Sequence, residues 1–268
     1  MSKIVFIAGN AHSGSTLLDL LLSAHPGICG LGEVSKVFKT FTGKMADYEL
    51  CSCGEPANKC PFWSRQLEFQ IGADYSYPEK YQNLLRIFNA YFRDTTLLVD
   101  SSKYLPSLKQ LHQAIQNKRI FGRDLFVVHL IKDVRSYVAS MKQRRGTGNR
   151  MLLKHYVNWY KNNRRIQKYL DDYKIDYMRI GYEELCFHTD VFLKKLCNRV
   201  NIPFDDAMLD VRNSQAHIAV GNGMRSNSAQ NRQIIYDDRW QRDRAIKFWF
   251  NILFFIRRYN RKTVYHNI

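Results

Sequence analysis

The segment from Ile4 to Leu22 constrains the fold more than any other part of the chain. Ile4 to Ala8 is an unbroken apolar run, Gly9-Asn-Ala-His-Ser-Gly14-Ser15-Thr16 is a turn of small residues, and Leu17 to Ala24 resumes with helical spacing. A buried strand that passes through a glycine turn into a helix is the opening unit of a parallel sheet, because parallel neighbours are reached only by a crossover. Further β-favouring runs lie at Thr96 to Val99, Leu125 to Ile131 and Ile175 to Ile180. Helical spacing lies at Tyr104 to Ile115, Val134 to Gln143 and Met151 to Tyr169. In the last, Leu153, Tyr156, Val157 and Tyr160 fall on one side and are expected in the core.

Strands alternating with helices predict an α/β fold, a three-layer α/β/α arrangement with a central parallel sheet of about four or five strands. With 268 residues, 45% of them hydrophobic, the chain can bury a substantial core, and one elaborated domain over 1–268 is expected. Its irregular parts are a Cys-containing segment at about 43–64, Arg144 to Arg150, and Gln215 to Gln233; a helical segment at about 236–260 ends it. The start runs directly into the first apolar strand without the pattern of a signal peptide, so a cytoplasmic protein is the working assumption. Phe248 to Ile256 is too short to cross a bilayer and is interrupted by Asn251. A formal net charge of +17 favours anionic partners without choosing among them.

The turn itself carries chemistry. A glycine-rich loop between a buried strand and a helix aims backbone N–H groups at an anion, as in P-loop folds. Gly9 to Thr16 matches the spacing G-x-x-x-x-G-K-[ST], except that Ser15 stands where a lysine would reach the outer phosphates of a nucleoside triphosphate. That exchange disfavours kinase or ATPase chemistry, and no acidic strand end presents itself to hold Mg²⁺. The plainer reading is a Gly/Ser turn capping a helix at Thr16.

His12-Ser-Gly-Ser-Thr-Leu-Leu, followed by Ala24-His-Pro26 and Gly32-Glu33, resembles the 5′-phosphosulfate loop of sulfotransferases that use 3′-phosphoadenosine 5′-phosphosulfate (PAPS), nearest to the tyrosylprotein and bacterial carbohydrate or small-molecule branches. Asp100-Ser-Ser-Lys103, Leu130-Ile-Lys-Asp-Val-Arg135 with Ser140-Met141, Tyr182-Glu-Glu-Leu185 and Gly221-Asn-Gly-Met-Arg225 resemble later landmarks in the same order. The resemblance implies sulfuryl transfer from PAPS to a hydroxyl acceptor, a carbohydrate or small molecule, leaving adenosine 3′,5′-bisphosphate (PAP). It implies Glu33 as general base, Lys103 as the cation at the leaving group, and His12, Ser13, Gly14, Ser15, Thr16 and Leu17 as the 5′ grip. His12 is the competing base, although a donor role within the loop suits it better. The alternative for Glu33 is a surface residue capping the helix that begins near Val34, and for Lys103 a solvated residue at a helix start. Sulfuryl transfer does not intrinsically require a metal.

By the same resemblance Lys132 and Ser140 hold the 3′-phosphate. Relatives commonly carry Arg at the first position, and Lys lacks its planar fork, so part of the grip is expected elsewhere. Arg225, with Gly221 and Asn222 in a flexible loop, is preferred for it. Arg135 is as readily an ion-pairing residue near Asp133 or Glu183.

Cys51, Cys53 and Cys60 do not form a C-x-x-C pair, and free or structural thiols are the expected state. A fourth ligand from Cys29 or a His would make a zinc site possible, and a disulfide is the third alternative. Trp240 to Tyr259 reads as a helix packed on the core or, less favoured, as a basic amphipathic helix at a membrane surface. No zinc-finger, RNP or helix-turn-helix signature supports a nucleic-acid-binding module. A positive pocket would suit an acidic acceptor, and no motif specifies which.

Overall fold

The computed structural model describes residues 3–40, 50–65, 75–92, 97–120, 124–146, 148–221, 223–226, 233–265 and 267. Five parallel strands form one sheet: β1 (Lys3–Gly9), β2 (Ile28–Gly30), β3 (Leu97–Lys103), β4 (Leu125–Ile131) and β5 (Tyr177–Gly181), in the order β2-β3-β1-β4-β5. Helices flank it: α1 (Ser15–Leu22), α2 (Val34–Thr40), α3 (Tyr77–Tyr91), α4 (Leu105–Gln116), α5 (Val134–Arg145), α6 (Leu152–Asp172), α7 (Tyr182–Phe187) and α8 (Thr189–Val200). The expected α/β class and strand number hold. The predicted strands appear with small shifts, Thr96 lying outside the described residues, and β2 is an addition.

Alternation along β1 separates the layers. Ile4, Phe6 and Ala8 pack with α3, α4 and α6 through Tyr81, Leu84, Phe88, Leu108, Leu111 and Ile166. Val5 and Ile7 face the other way, onto Leu17, Leu18 and Leu21 of α1 and Phe192, Leu193 and Leu196 of α8. With both faces covered, β1 is buried from Ile4 onward, which is why its sequence reads as a continuous apolar run. All eight residues of α1 are buried as well, including the polar Ser15, Thr16 and Asp19.

Helix α6 corrects one expectation. Leu153 is 42% exposed, and the buried face runs through Leu152, His155, Tyr156, Trp159, Asn163, Ile166 and Leu170. His155 and Asn163 are polar residues on the inner face, so hydropathy centres the stripe one position away from its true axis.

The C-terminal part is not one helix. A 3₁₀ turn (Arg239–Arg242) leads into α9 (Arg244–Ile252) and, after a break at Leu253, α10 (Phe254–Val264). Asp243 caps α9 by accepting from the N–H groups of Ala245 and Ile246. Asn260 ties α10 to the start of α5: its Oδ1 accepts from Val134 N and its Nδ2 donates to Asp133 Oδ2, both at 2.8 Å. Ile246, Ile256 and Val264 are buried, whereas Phe248, Ile252, Phe254 and Phe255 are exposed. Among the described residues no helix is long and apolar enough to cross a membrane.

Topology fixes where a ligand can sit. The connection after β1 runs toward β2 and that after β4 runs toward β5, on opposite sides of the sheet, and ligands of open α/β sheets bind beyond the strand ends at such a divergence. Gly9 pairs with Leu130, and Ala8 with Lys103, so the C-terminal ends of β1, β3 and β4 lie at one level.

Candidate active site

Two glycines shape the loop after β1. A Cβ on Gly9 would stand 2.5 Å from the carbonyl oxygen of Leu130, and one on Gly14 would stand 2.2 Å from Cδ2 of Tyr182. Gly14 also has φ +94, a left-handed conformation that side chains disfavour. Ser13 N donates to Asn10 O (3.3 Å), closing the turn. Asn10 is in turn held by Asn162 Nδ2 at 3.1 Å. The first N–H groups of α1 have no acceptor within the helix. Beside them Ser13 Oγ is buried without a hydrogen-bond partner among the described residues, an unusual cost unless a ligand satisfies it. Burial, with Arg144, Lys103 and Lys132 nearby, lowers His12 to about 4, so the imidazole is neutral near pH 7 and can donate a hydrogen bond without adding charge.

Glu33 is placed by three backbone contacts. Gly32, at φ +71, donates its N–H to Asp19 Oδ2 (3.2 Å) and accepts from Ser101 N (2.8 Å). Glu33 N donates to Val220 O (3.2 Å). Complete burial pushes Asp19 up to about 7. Lys103 arrives through a bulge: the three residues of β1 from Phe6 to Ala8 face the four of β3 from Asp100 to Lys103, and Lys103 has φ 58. A bulge re-aims the side chain that follows it, and here it turns Lys103 onto Glu33. Lys103 Nζ lies 2.7 Å from Glu33 Oε1, and Lys36 Nζ lies 2.6 Å from Oε2. Burial lowers the pKa of Lys103, with Glu33 opposing the shift.

At the far end, three donors converge on one oxygen. Lys132 Nζ (2.7 Å), Ser140 Oγ (3.0 Å) and Arg239 Nη2 (2.8 Å) all donate to Asp237 Oδ2. Arg239 Nε donates to Oδ1 (2.7 Å), and Ser136 Oγ to the backbone carbonyl of Asp237 (3.0 Å). Burial alone would raise Asp237; hydrogen bonding from Arg239 and the Lys132 ammonium overcome it and hold the carboxyl well below the usual range. Lys132 also lies 4.7 Å from the ring centroid of Tyr182, and Trp159 Nε1 donates to its carbonyl (2.9 Å).

The structure thus brings most of the expected residues to one cleft of about 1250 Å³, lined by His12, Gly14 to Leu17, Glu33, Lys103, Lys132, Ser140 and Gly221. Ser13 is buried behind the loop surface. Arg225 does not line the cleft: its Nη1 donates to Leu50 O at 2.9 Å. Asn222 lies outside the described residues. Arg135 pairs with Asp133 at 2.8 Å and stacks 3.8 Å from the Trp240 ring, the structural alternative weighed for it. Beside Lys132, on the same carboxylate oxygen of Asp237, lies the guanidinium of Arg239, which sequence reading did not single out. Its signal was slight: a Tyr236-Asp-Asp-Arg239-Trp240 run in an irregular stretch. Asp19 was missed because a carboxylate inside an apolar helix gives no pattern of its own.

Lys36, Lys103, Lys132, Arg144, Arg145 and Arg239 face the cleft against Glu33, Asp237 and Asp238. Such an excess of cations favours an anionic ligand.

The protein resembles, in three dimensions, the sulfotransferase domain of the Synechococcus PCC 7002 olefin synthase, with a TM-score of 0.60 and 18% identity over 90% of this chain and 89% of that one. It resembles equally the sulfotransferase domain from the curacin biosynthetic pathway, with a TM-score of 0.60 and 18% identity over 94% and 98%. At that identity the likeness establishes the fold alone. No curated protein matches the chain in sequence. A sequence model of the sulfotransferase family matches residues 5–206, from β1 to the start of the 3₁₀ turn (Asp206–Leu209) after α8. A match of that extent, over the segment holding Glu33, Lys103, Lys132 and Ser140, makes the chain a member of the sulfotransferase family.

Proposed function

We propose that this cleft binds PAPS and moves its sulfuryl group to a hydroxyl acceptor, a carbohydrate or small molecule, releasing PAP. The observation that carries the reading is the two-ended anion site. The loop from Gly14 and the free N-terminal amides of α1 lie at one end. At the other, Lys132, Ser140 and Arg239 already hold a carboxylate. These donor sets fit a nucleotide with phosphate on both sides of its ribose. PAPS supplies an activated sulfuryl group, whose S–O bond to the 5′-phosphate breaks as a new S–O bond forms to the acceptor.

The side chains divide the remaining work. Glu33 accepts the proton of the acceptor hydroxyl as general base. Lys103, kept beside it by the bulge and the 2.7 Å ion pair, presents a cation to charge that develops on the leaving phosphate. Neutral His12 donates a hydrogen bond to the same region. Loop and lysine replace solvent with preorganised donors, so little reorganisation accompanies transfer.

The test pairs binding with turnover. Calorimetric titration is expected to give tighter binding for PAP than for ATP with Mg²⁺, and labelled PAPS with a panel of hydroxyl acceptors should release PAP. Glu33→Gln should lower kcat by about 10²- to 10⁴-fold with PAP affinity nearly unchanged. Tighter binding of ATP, or normal turnover in Glu33→Gln, would overturn the reading or the base assignment respectively.

A further inference from the structure

Outside the cleft, the fold assembles a second set of reactive side chains. Cys51, Cys53 and Cys60 meet His217, and one ligand atom from each lies within 4.8 Å of all the others. Cys60 Sγ stands 3.6 Å from Cys51 Sγ and 3.2 Å from His217 Nδ1. We propose that these four residues bind one structural zinc ion. Cys29, the other ligand considered from sequence, does not join: its Sγ faces the carbonyls of Gly30 and Gln215, each at 3.9 Å.

Geometry selects a metal over the alternatives. A tetrahedral ion with Zn–S near about 2.3 Å and Zn–N near about 2.0–2.1 Å holds its ligand atoms roughly 3.5–3.8 Å apart. The separations of 3.6 and 3.2 Å from Cys60 Sγ are close to those edges. A Cys51–Cys60 disulfide would instead require about 2.05 Å. Free thiols have no reason to gather around an imidazole in the core, where Cys51 and Cys60 are fully buried. Three soft sulfur ligands and one imidazole suit zinc and are wrong for the oxygen-seeking Mg²⁺ or Ca²⁺. Four protein ligands also leave no open position, the mark of a structural rather than a catalytic ion.

The surroundings are built to hold the ligands. Gly54, at φ +99, turns the chain so that Gly54 N reaches Cys51 O (3.0 Å) and Cys51 N reaches Glu55 O (2.8 Å). Trp63 donates its backbone N–H to Cys60 Sγ (3.5 Å) and its Nε1 to His217 O (2.6 Å). The rings of Phe62, Tyr91 and Phe92 enclose the imidazole at 5.7 to 6.0 Å between centroids. Ser52, between two of the cysteines, exchanges backbone and side-chain hydrogen bonds with Ala216 and Ile218 on either side of His217.

The ion would therefore rivet residues 51–60 to residues 216–218. That junction lies directly behind the cleft: Val220 O holds Glu33 N, and Leu50 O holds Arg225. None of the four ligands lines the cleft, so the ion acts on stability and on the placement of Glu33, without touching the reacting groups.

The full chain, purified from zinc-supplemented culture without chelator, is expected to carry one zinc per chain by elemental mass spectrometry. Mercurial titration should release it, and exchange for Co²⁺ should give the sulfur-to-metal charge-transfer band of a thiolate site. Because Cys53 is exposed, Cys53→Ala leaves the packing intact and should weaken zinc retention by at least about 10- to 100-fold. Cys186→Ser, outside the cluster, should retain the ion. Substoichiometric zinc, a Cys51–Cys60 disulfide in non-reduced peptide maps, or wild-type retention by Cys53→Ala would each overturn the proposal.

Discussion

At the scale of single residues, Asp237 behaves as an internal counter-ion. Lys132, Ser140 and Arg239 would otherwise present an unneutralised donor set, and one carboxylate oxygen accepts from all three. Under the proposed function, the 3′-phosphate competes with that carboxylate for the same donors. Asp237→Asn should then raise PAP affinity by about tenfold, whereas Arg239→Ala should lower it by a similar factor, since a charge-assisted hydrogen bond contributes about 1.5–3 kcal/mol. Calorimetry on both variants checks the pair; weaker PAP binding by Asp237→Asn would sink the competition. Lys132 and Ser140 were reached through the family resemblance, which points to the residue after a strand and a serine on the helix that follows, and both line the cleft. Arg239 was not, because nothing local to an irregular segment says which distant donors it will join.

At the scale of elements, the strand-loop-helix unit was the most legible part of the fold. Its apolar run, glycines and helical spacing each demand the same local geometry. Strand β2 escaped because three residues, Ile28–Gly30, are too few to show a period. The bulge in β3 escaped as well: a register shift is a property of two paired strands and leaves no mark in either sequence. Gly14 is where the unit is least tolerant. Gly14→Ala combines a left-handed φ with a contact of 2.2 Å to the Tyr182 ring, so either the loop or α7 must move. The expected result is a loss of about 1–3 kcal/mol in stability together with loss of PAP binding, read by denaturant unfolding and calorimetry. Wild-type values for both would show that the loop relaxes without consequence.

At the scale of the whole molecule, the cleft is walled by pieces far apart in the chain: the loop after β1, Glu33 beside α2, α5, and the segment around Asp237 that precedes α9 and α10. A ligand bound to all of them at once should stabilise the protein as a unit. At a PAP concentration 100 times Kd the gain is about 2.7 kcal/mol, or a rise of roughly 5–10 °C in Tm for a chain of this size. Differential scanning fluorimetry measures it, and a smaller shift with ATP and Mg²⁺ is expected under the same conditions.

Under the proposed function, the carboxylate of Asp237 has a kinetic consequence. A chain that carries its own substitute anion keeps its binding end occupied by a tethered competitor, whose local concentration does not fall on dilution. Only the fraction of molecules with that tether detached accepts nucleotide, so the apparent Kd exceeds the intrinsic one by the inverse of that fraction. Association then becomes gated: as nucleotide concentration rises, the observed rate levels off at the rate of detachment, however strongly the surrounding positive field draws the ligand in.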